Sequence, residues 1–482
     1  MVVRLASCYS LGQVWLTGER VPLDVSQTRR LPRKERMKGY ADVEIINYDY
    51  PFEQFAEFGE ASIAHEGGMR SMFSRLAATA ALIFTPAAPA CAQDTRTTAQ
   101  PPPPEVVASS AGSIRIERLA TLEQPWGMAL LPDGRLLVTE KPGRLRIWAE
   151  GKLSEPVQGV PAAFYRGPSD QGGMLDVEVD PDFARNQLVY LSYVEAADPQ
   201  PADARNEAEP RFGGGGPSQD IVVRGGAVAR GRLEGNQLRD VQVIWRQVPK
   251  TVGRGHFGNR LLFAPDGKLF ITSGERMRFD PAQDLASNLG KVVRLNPDGS
   301  APADNPFAGR EGARSDVWSY GHRNILAAAL DPSSGRLWVF EMGPLGGDEV
   351  NLVERGKNYG WPLVSNGDNY DNSMIPDHPS RRDLQGPVRT WTPVVSPSGA
   401  LFYTGSLFAG WRGSALVGGL SSRAIVRLVF DGERVALEER IDMKRRIRDL
   451  LQTPDGALLV IVDDRQGDLL RLTPAPATAA AR

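Results

Sequence analysis

One phrase recurs along this chain and limits what it can fold into. An apolar residue, a tight turn and a β-rich run appear as LLPDGRLLVTE (130–140), VDPDFARNQLVYLSY (179–193), FAPDGKLFITSGE (263–275), LDPSSGRLWVFEMG (330–343), SPSGALFYTG (396–405) and TPDGALLVIVDD (453–464). Proline fixes φ and glycine accepts positive φ, so Pro-Asp-Gly sets a turn and the apolar run after it is a strand. No apolar pattern at helical spacing lasts beyond about three turns. The expected fold is therefore all-β, a six-bladed β-propeller of four-stranded antiparallel blades around a central channel. Residues 113–474 leave about 60 residues per blade, more than the roughly 40–45 of minimal propeller repeats, so the surplus is loop. The longest loop candidate is the polar, glycine-rich stretch 196–220. A pair of β-sandwiches is the competing architecture, and it gives no reason for a sixfold phrase.

The segments before the repeats read differently. From Met69, MRSMFSRLAATAALIFTPAAPACAQD places Arg70 and Arg75 before an apolar stretch and Ala90-Cys91-Ala92 before Gln93. That is a secretory signal pattern, too short to span a bilayer. Residues 1–68 are then expected to be an upstream extension absent from the mature protein, 69–92 the signal peptide, 93–112 a Pro-rich spacer, 113–474 the propeller and 475–482 a disordered tail. A periplasmic protein without a membrane span follows from this division. The two cysteines, Cys8 and Cys91, lie outside the repeats, which excludes a disulfide framework. A formal net charge of −2 gives no reason to expect a nucleic-acid partner.

Chemistry concentrates in 253–349. The chain has four histidines, and two of them, His256 and His322, fall in the islands GRGHFGNRLLFAPDGKLFITSGER (253–276) and YGHRN (320–324), followed by EMGPLGGDE (341–349). These are loop positions beside predicted strands, where polar residues more often carry function than packing. No CxxCH occurs, so no haem is attached covalently. The βαβ pattern and glycine fingerprint of a dinucleotide site are missing as well.

Taken with LEQPWGMALLPDGRLLVTEKPGRL (122–145), SDQGGMLDVEVDPDF (169–183), LGKVVRLNPDG (289–299), EMGPLGGDEVNLVERGKNYGWP (341–362) and RIRDLLQTPDG (446–456), these islands resemble the soluble glucose/sorbosone dehydrogenase family that depends on pyrroloquinoline quinone (PQQ), in particular its aldose sugar dehydrogenase branch. The resemblance implies an oxidoreductase that takes aldose sugars at the anomeric carbon to lactones, with PQQ and calcium as cofactors. Its electron acceptor is unknown. It further implies that His256 is the general base, that Glu275 orients it and that Arg323 polarises the quinone oxygen. Arg323, Arg446 and Arg448, with Asn324 and Gln171 as neutral donors, would hold the three cofactor carboxylates. The carbonyls of Gly343 and Pro344 would hold calcium, a hard cation that prefers oxygen, while Asp348 and Glu349 order the loop. One position departs from the pattern. Relatives place Lys after a Gly-x-Leu phrase to pair with a cofactor carboxylate, whereas GGLSSRAIVR (418–427) has Ser422 there, with Arg423 as a substitute cation. A metal-dependent, lactonase-like hydrolase and a non-catalytic binding propeller are the two other function classes open to this fold.

Overall fold

The apolar runs of the repeats have no polar face, because each blade is buried on both sides. In the computed structural model, which describes residues 105–205, 211 and 220–476 and the backbone of a hairpin Gln13–Leu16/Glu19–Pro22, successive side chains of one strand divide between two neighbouring cores. Leu136 and Val138 join the layer between blades 6 and 1, and Leu137 the layer between blades 1 and 2. Leu458 and Val460 face blade 5, while Leu459 and Ile461 face blade 1. The period of two along a strand thus builds six interblade layers in place of one central core.

The chain divides into two units, Met1–Pro86 and Ala87–Arg482. The second is a six-bladed propeller of antiparallel sheets. The innermost strands of blades 1 to 6 are Pro125–Leu130, Met174–Val179, Gly258–Phe263, Ile325–Leu330, Pro397–Phe402 and Ile447–Gln452. Each neighbours the next, and the sixth neighbours the first. Five blades use four consecutive strands. The sixth takes its outer strands from the start of the domain: Gly112–Leu122 pairs antiparallel with Gly467–Pro474, and Glu105–Ser109 pairs with Gly112–Leu122. This closes the ring and leaves the sixth sheet five-stranded. Closure by an early strand corrects the expected spacer, since residues 105–112 of the 93–112 stretch belong to the propeller. The signal pattern, the upstream extension apart from that hairpin's backbone, and most of the tail lie outside the described residues, as do 206–210 and 212–219 of the long loop. Asp220, at the C-terminal end of that loop, is buried on Arg224.

Five of the six phrases sit where the sequence puts them, on the turn between a blade's first and second strands. The copy SPSGALFYTG does not. Its Pro397–Phe402 portion is the innermost strand of blade 5, and the turn that follows, 403–414, packs Phe408 against Trp411 with ring centroids 4.4 Å apart. A Pro-Ser-Gly at a strand start reads like a turn because the innermost strands bulge there. All six carry a register shift near the second residue. In blades 1 to 3 a hydroxyl from the neighbouring strand takes the N–H that the bulge frees: Thr139 accepts from Gly127 (2.9 Å), Ser192 from Asp176 (2.8 Å) and Thr272 from Arg260 (2.9 Å).

At these bulges the six innermost strands meet on one side chain. Arg260, from blade 3, pairs with Asp176 of blade 2 (3.3 Å) and Asp449 of blade 6 (3.1 Å). It donates to the Leu326 carbonyl of blade 4 (2.7 Å) and the Ser398 carbonyl of blade 5 (2.5 Å), and lies 4.1 Å from the Trp126 ring of blade 1. The second oxygen of each aspartate accepts a backbone N–H, from Leu261 and Met128. A Cβ on Gly127 or Gly399 would run into the Asp176 or Asp449 carboxylate, so glycine makes the room. Arg260→Met leaves two carboxylates buried without their cation and should cost about 3–5 kcal/mol in denaturant unfolding. Adding Asp176→Asn and Asp449→Asn to it should recover part of that loss. An unchanged unfolding midpoint for the single variant would mean that the axial cluster does not hold the blades.

Candidate active site

The same topology decides which side chains converge. First strands start at one rim of the propeller, second strands end there and third strands start there. Gln171, His256, Arg323, Asn324 and Arg446 lie one to three residues before first strands, and Arg448 lies one residue into one. Glu275 and Gly343 immediately follow second strands, and Ser422 and Arg423 precede a third. Every residue expected in the site therefore lies at one rim.

His256 is buried and held in a left-handed backbone conformation, φ 54°, which costs a β-carbon-bearing residue energy unless its surroundings impose it. Those surroundings are visible. Gln171 Oε1 accepts the His256 N–H (2.9 Å). The fully buried Arg276 donates to the carbonyls of Gly255 (2.9 Å), Gly253 (2.7 Å) and Arg224 (2.7 Å), and stacks 3.8 Å from the Phe257 ring. The loop carrying the imidazole is thereby clamped on both sides. His256 Nδ1 bonds the Glu275 carboxylate, whose other oxygen accepts the N–H groups of Arg278 (2.5 Å) and Phe279 (2.7 Å). Burial, with the Arg323 charge, lowers the His256 pKa below its ordinary value even though Glu275 pulls it upward. Burial would raise Glu275, but His256 and Arg323 outweigh it and keep the carboxyl ionised below its usual range. The pair is a neutral imidazole oriented by a carboxylate.

Arg323 adjoins this pair, its carbonyl accepting the Glu275 N–H (2.9 Å). Its guanidinium donates to the carbonyls of Met342 (2.9 Å) and Gly343 (2.8 Å) and to the Tyr370 hydroxyl (3.1 Å), and lies 5.2 Å from the Trp361 ring. Asn324 beside it buries an Oδ1 with no hydrogen-bond partner among the described residues. Gly343 begins a tight loop in which a Cβ would strike the Gly346 and Gly347 carbonyls. Asp348 orders that loop as expected, accepting from Gly343 (2.8 Å), Val395 (2.8 Å) and Ser396 (2.6 Å), and burial pushes its pKa up to about 6. Pro344 is buried in the same loop. Among the described residues no group of three His, Cys, Asp or Glu side chains is placed to share a metal ion, so a cation at this loop would take carbonyl oxygens.

On the other side of the rim, Arg446 and Arg448 do not stand apart as two independent anion sites. Both close on one carboxylate, Asp463: Arg446 at 2.8 and 2.6 Å, Arg448 at 3.0 and 2.5 Å. Although burial opposes it, the two arginines hold the Asp463 carboxyl far below the usual range. Arg423 is exposed with φ 52°, its carbonyl accepting from Met443 (3.0 Å). No hydrogen bond or ion pair joins its side chain to the other site residues among those described. The neighbouring Ser422 keeps a buried Oγ without a partner there. His322 is a satisfied core histidine, bonded to Glu341 (3.0 Å) and Ser319 (2.9 Å) and stacked on Tyr359.

Sequence reasoning missed Asp463, Lys141, Trp361 and Tyr370. The first two were within reach, since they end the second strands of blades 6 and 1 at the place where Glu275 and Gly343 end theirs. Trp361 and Tyr370 come from the segment between the last two strands of blade 4, which runs beside Tyr320 and Leu345 through isolated bridges at Asn358 and Asp368. For Trp361 the one signal was the aromatic cluster in KNYGWP, and Tyr370 lies outside it.

Comparison with known proteins identifies the family. The family model for glucose/sorbosone dehydrogenase matches residues 122–471. The aldose sugar dehydrogenase YliI of Escherichia coli (strain K12) is 39% identical over 361 residues, covering 73% of this chain and 91% of that protein. Among solved structures, the soluble aldose sugar dehydrogenase of Escherichia coli in its apo-form superposes with a TM-score of 0.67 at 37% identity, covering 75% of this chain and 100% of the other. The PQQ-bound aldose sugar dehydrogenase of Streptomyces coelicolor gives 0.59 at 25% identity, covering 75% and 98%. With its propeller, its rim of converging side chains and a family match over most of its length, this chain belongs to the glucose/sorbosone dehydrogenase family.

Proposed function

We propose that this protein is a periplasmic quinoprotein that oxidises aldose sugars at the anomeric carbon to lactones, using PQQ and calcium and passing electrons to an acceptor of unknown identity. The observation that carries the reading is the buried His256–Glu275 pair beside Arg323, a base and a cation at one rim. The periplasmic part rests on the signal pattern at 69–92.

The residues present fit the cofactor. Arg446 and Arg448 share a single carboxylate, so their surplus charge suits an acidic ligand, and arginine forks match carboxylates in pairs of hydrogen bonds. Asn324 Oδ1 and Ser422 Oγ are buried without a partner among the described residues, as groups awaiting a polar ligand would be. Calcium takes six to eight oxygens, so the Gly343 and Pro344 carbonyls would supply two and leave the rest to ligand and water. When bound, PQQ supplies the electrophilic carbonyl that accepts the hydride. The protein's own part is proton removal and charge placement. Glu275 on Nδ1 fixes the tautomer that leaves the Nε2 lone pair as base for the C1 hydroxyl proton. Arg323 sets a positive charge where negative charge develops.

The purified apoprotein should turn over aldoses only after both PQQ and calcium are added, as read by reduction of a dye acceptor. Full activity after exhaustive chelation and without PQQ would rule the quinoprotein reading out. His256→Gln keeps a polar side chain but no base, so turnover should fall by about 10²–10⁴ while PQQ still binds. Near-normal turnover would show that His256 is not the base.

The pH dependence has a definite sign. Only neutral His256 can accept the proton, so kcat/KM should rise with pH through the histidine pKa and then level off. Burial and Arg323 place that rise below pH 6.5. Glu275 favours the imidazolium, so Glu275→Gln should lower the plateau and move the rise to still lower pH. A shift to higher pH would contradict the assigned roles.

A further inference from the structure

Two lysines of the propeller are buried, and they use their three N–H donors differently. Lys291 donates to the carbonyls of Pro281 (2.9 Å), Ala282 (3.0 Å) and Leu289 (2.5 Å), which completes its ammonium group. Lys141 is 8% exposed and makes one hydrogen bond, to the Asp170 carbonyl, with the Tyr165 ring 5.4 Å from its Nζ. Among the described residues it has no carboxylate partner. A buried charge without a counterion is costly, and the cost is removed when an anion arrives.

Its place says which anion. Lys141 follows the second strand of blade 1, as Asp463 follows that of the adjoining blade 6. The charges of Arg448, Asp463, Asp170 and Arg446 all act on it. Through Asp170 it adjoins Gln171, which holds the His256 backbone. Among the described residues three cations therefore stand at this part of the rim with two carboxylates, Asp463, shared by Arg446 and Arg448, and Asp170, which pairs with Arg224 at 3.6 Å. We propose that Lys141 is the third cation of this site and binds a carboxylate of the quinone cofactor, the contact that Ser422 cannot make as an ion pair. The inference rests on the cofactor reading above.

Titration of the metal-free apoprotein with PQQ, followed by quenching of tryptophan fluorescence, tests it without reference to turnover. Lys141→Gln keeps a donor for the Asp170 carbonyl and removes the charge, so Kd should rise by about ten- to a hundredfold, the range of a charge-assisted hydrogen bond. Lys141→Arg should retain most of the affinity. The wild-type protein provides an independent arm, should either variant fold poorly. Burial, followed by the Arg448 charge, lowers the Lys141 pKa to about 8. The groups facing it are Asp170, Tyr165, Arg446, Arg448 and Asp463. Asp463 is held far below this range, and burial raises Tyr165 above its ordinary value. Wild-type affinity should therefore weaken as pH rises through about 8, and Lys141→Gln should lack that change. Wild-type binding that is insensitive to pH there, or unchanged affinity in Lys141→Gln, would overturn the proposal while leaving the cofactor reading intact. Failure of the wild-type protein to bind PQQ at all would remove both.

Discussion

Everything at the rim depends on the charge cluster at the propeller axis. A ring of blades packed only by apolar layers could slide, because aliphatic contacts have little directionality. Arg260 removes that freedom by touching all six innermost strands with hydrogen bonds, ion pairs or its face on Trp126. The bulges turn these strands so that backbone carbonyls and two aspartates point inward. The strand that bears Arg260 begins two residues after His256, and the strand that bears Asp449 begins one residue after Arg446. Fixing the axis thus fixes the starting points of the loops that carry the chemistry.

The rim holds two electrostatic environments. On the blade 3 side, burial and Arg323 keep His256 neutral while Glu275 stays ionised, which is what a base and its orienting partner need. On the side of blades 1 and 6, Arg446 and Arg448 share the Asp463 carboxylate while Lys141 donates to the Asp170 carbonyl. Arg323 belongs to the first of these, with its backbone on Glu275 and its side chain on the Gly343 loop of blade 4. Under the proposed function the first environment would take a sugar hydroxyl and the second an acidic cofactor.

Most of the fold was legible because the repeated phrase reports the backbone directly: a tight turn and a doubly buried strand leave few alternatives. The fifth phrase misled because proline and glycine at a bulged strand start look like those at a turn. Ring closure by Gly112–Leu122 was invisible, since a closing strand pairs across the whole length of the domain and has no local signature. Of the site, His256, Glu275, Arg323 and the Gly343 loop could be placed from motifs. Lys141 and Asp463 were masked by their ordinary surroundings, TEKPG and VDDR, although the equivalence of the copies puts both at the rim. Trp361 and Tyr370 reach it through a long segment whose path follows from packing alone.

The central claim is that this rim removes a hydride from the anomeric carbon as His256 takes the hydroxyl proton. Steady-state oxidation of an aldose deuterated at C1, by protein loaded with PQQ and calcium, tests it most directly. The account predicts a primary deuterium isotope effect on kcat/KM and a lactone as the first product. Equal rates for the two isotopologues in both the wild-type protein and the slowed His256→Gln variant, or a product oxidised elsewhere on the sugar, would contradict it.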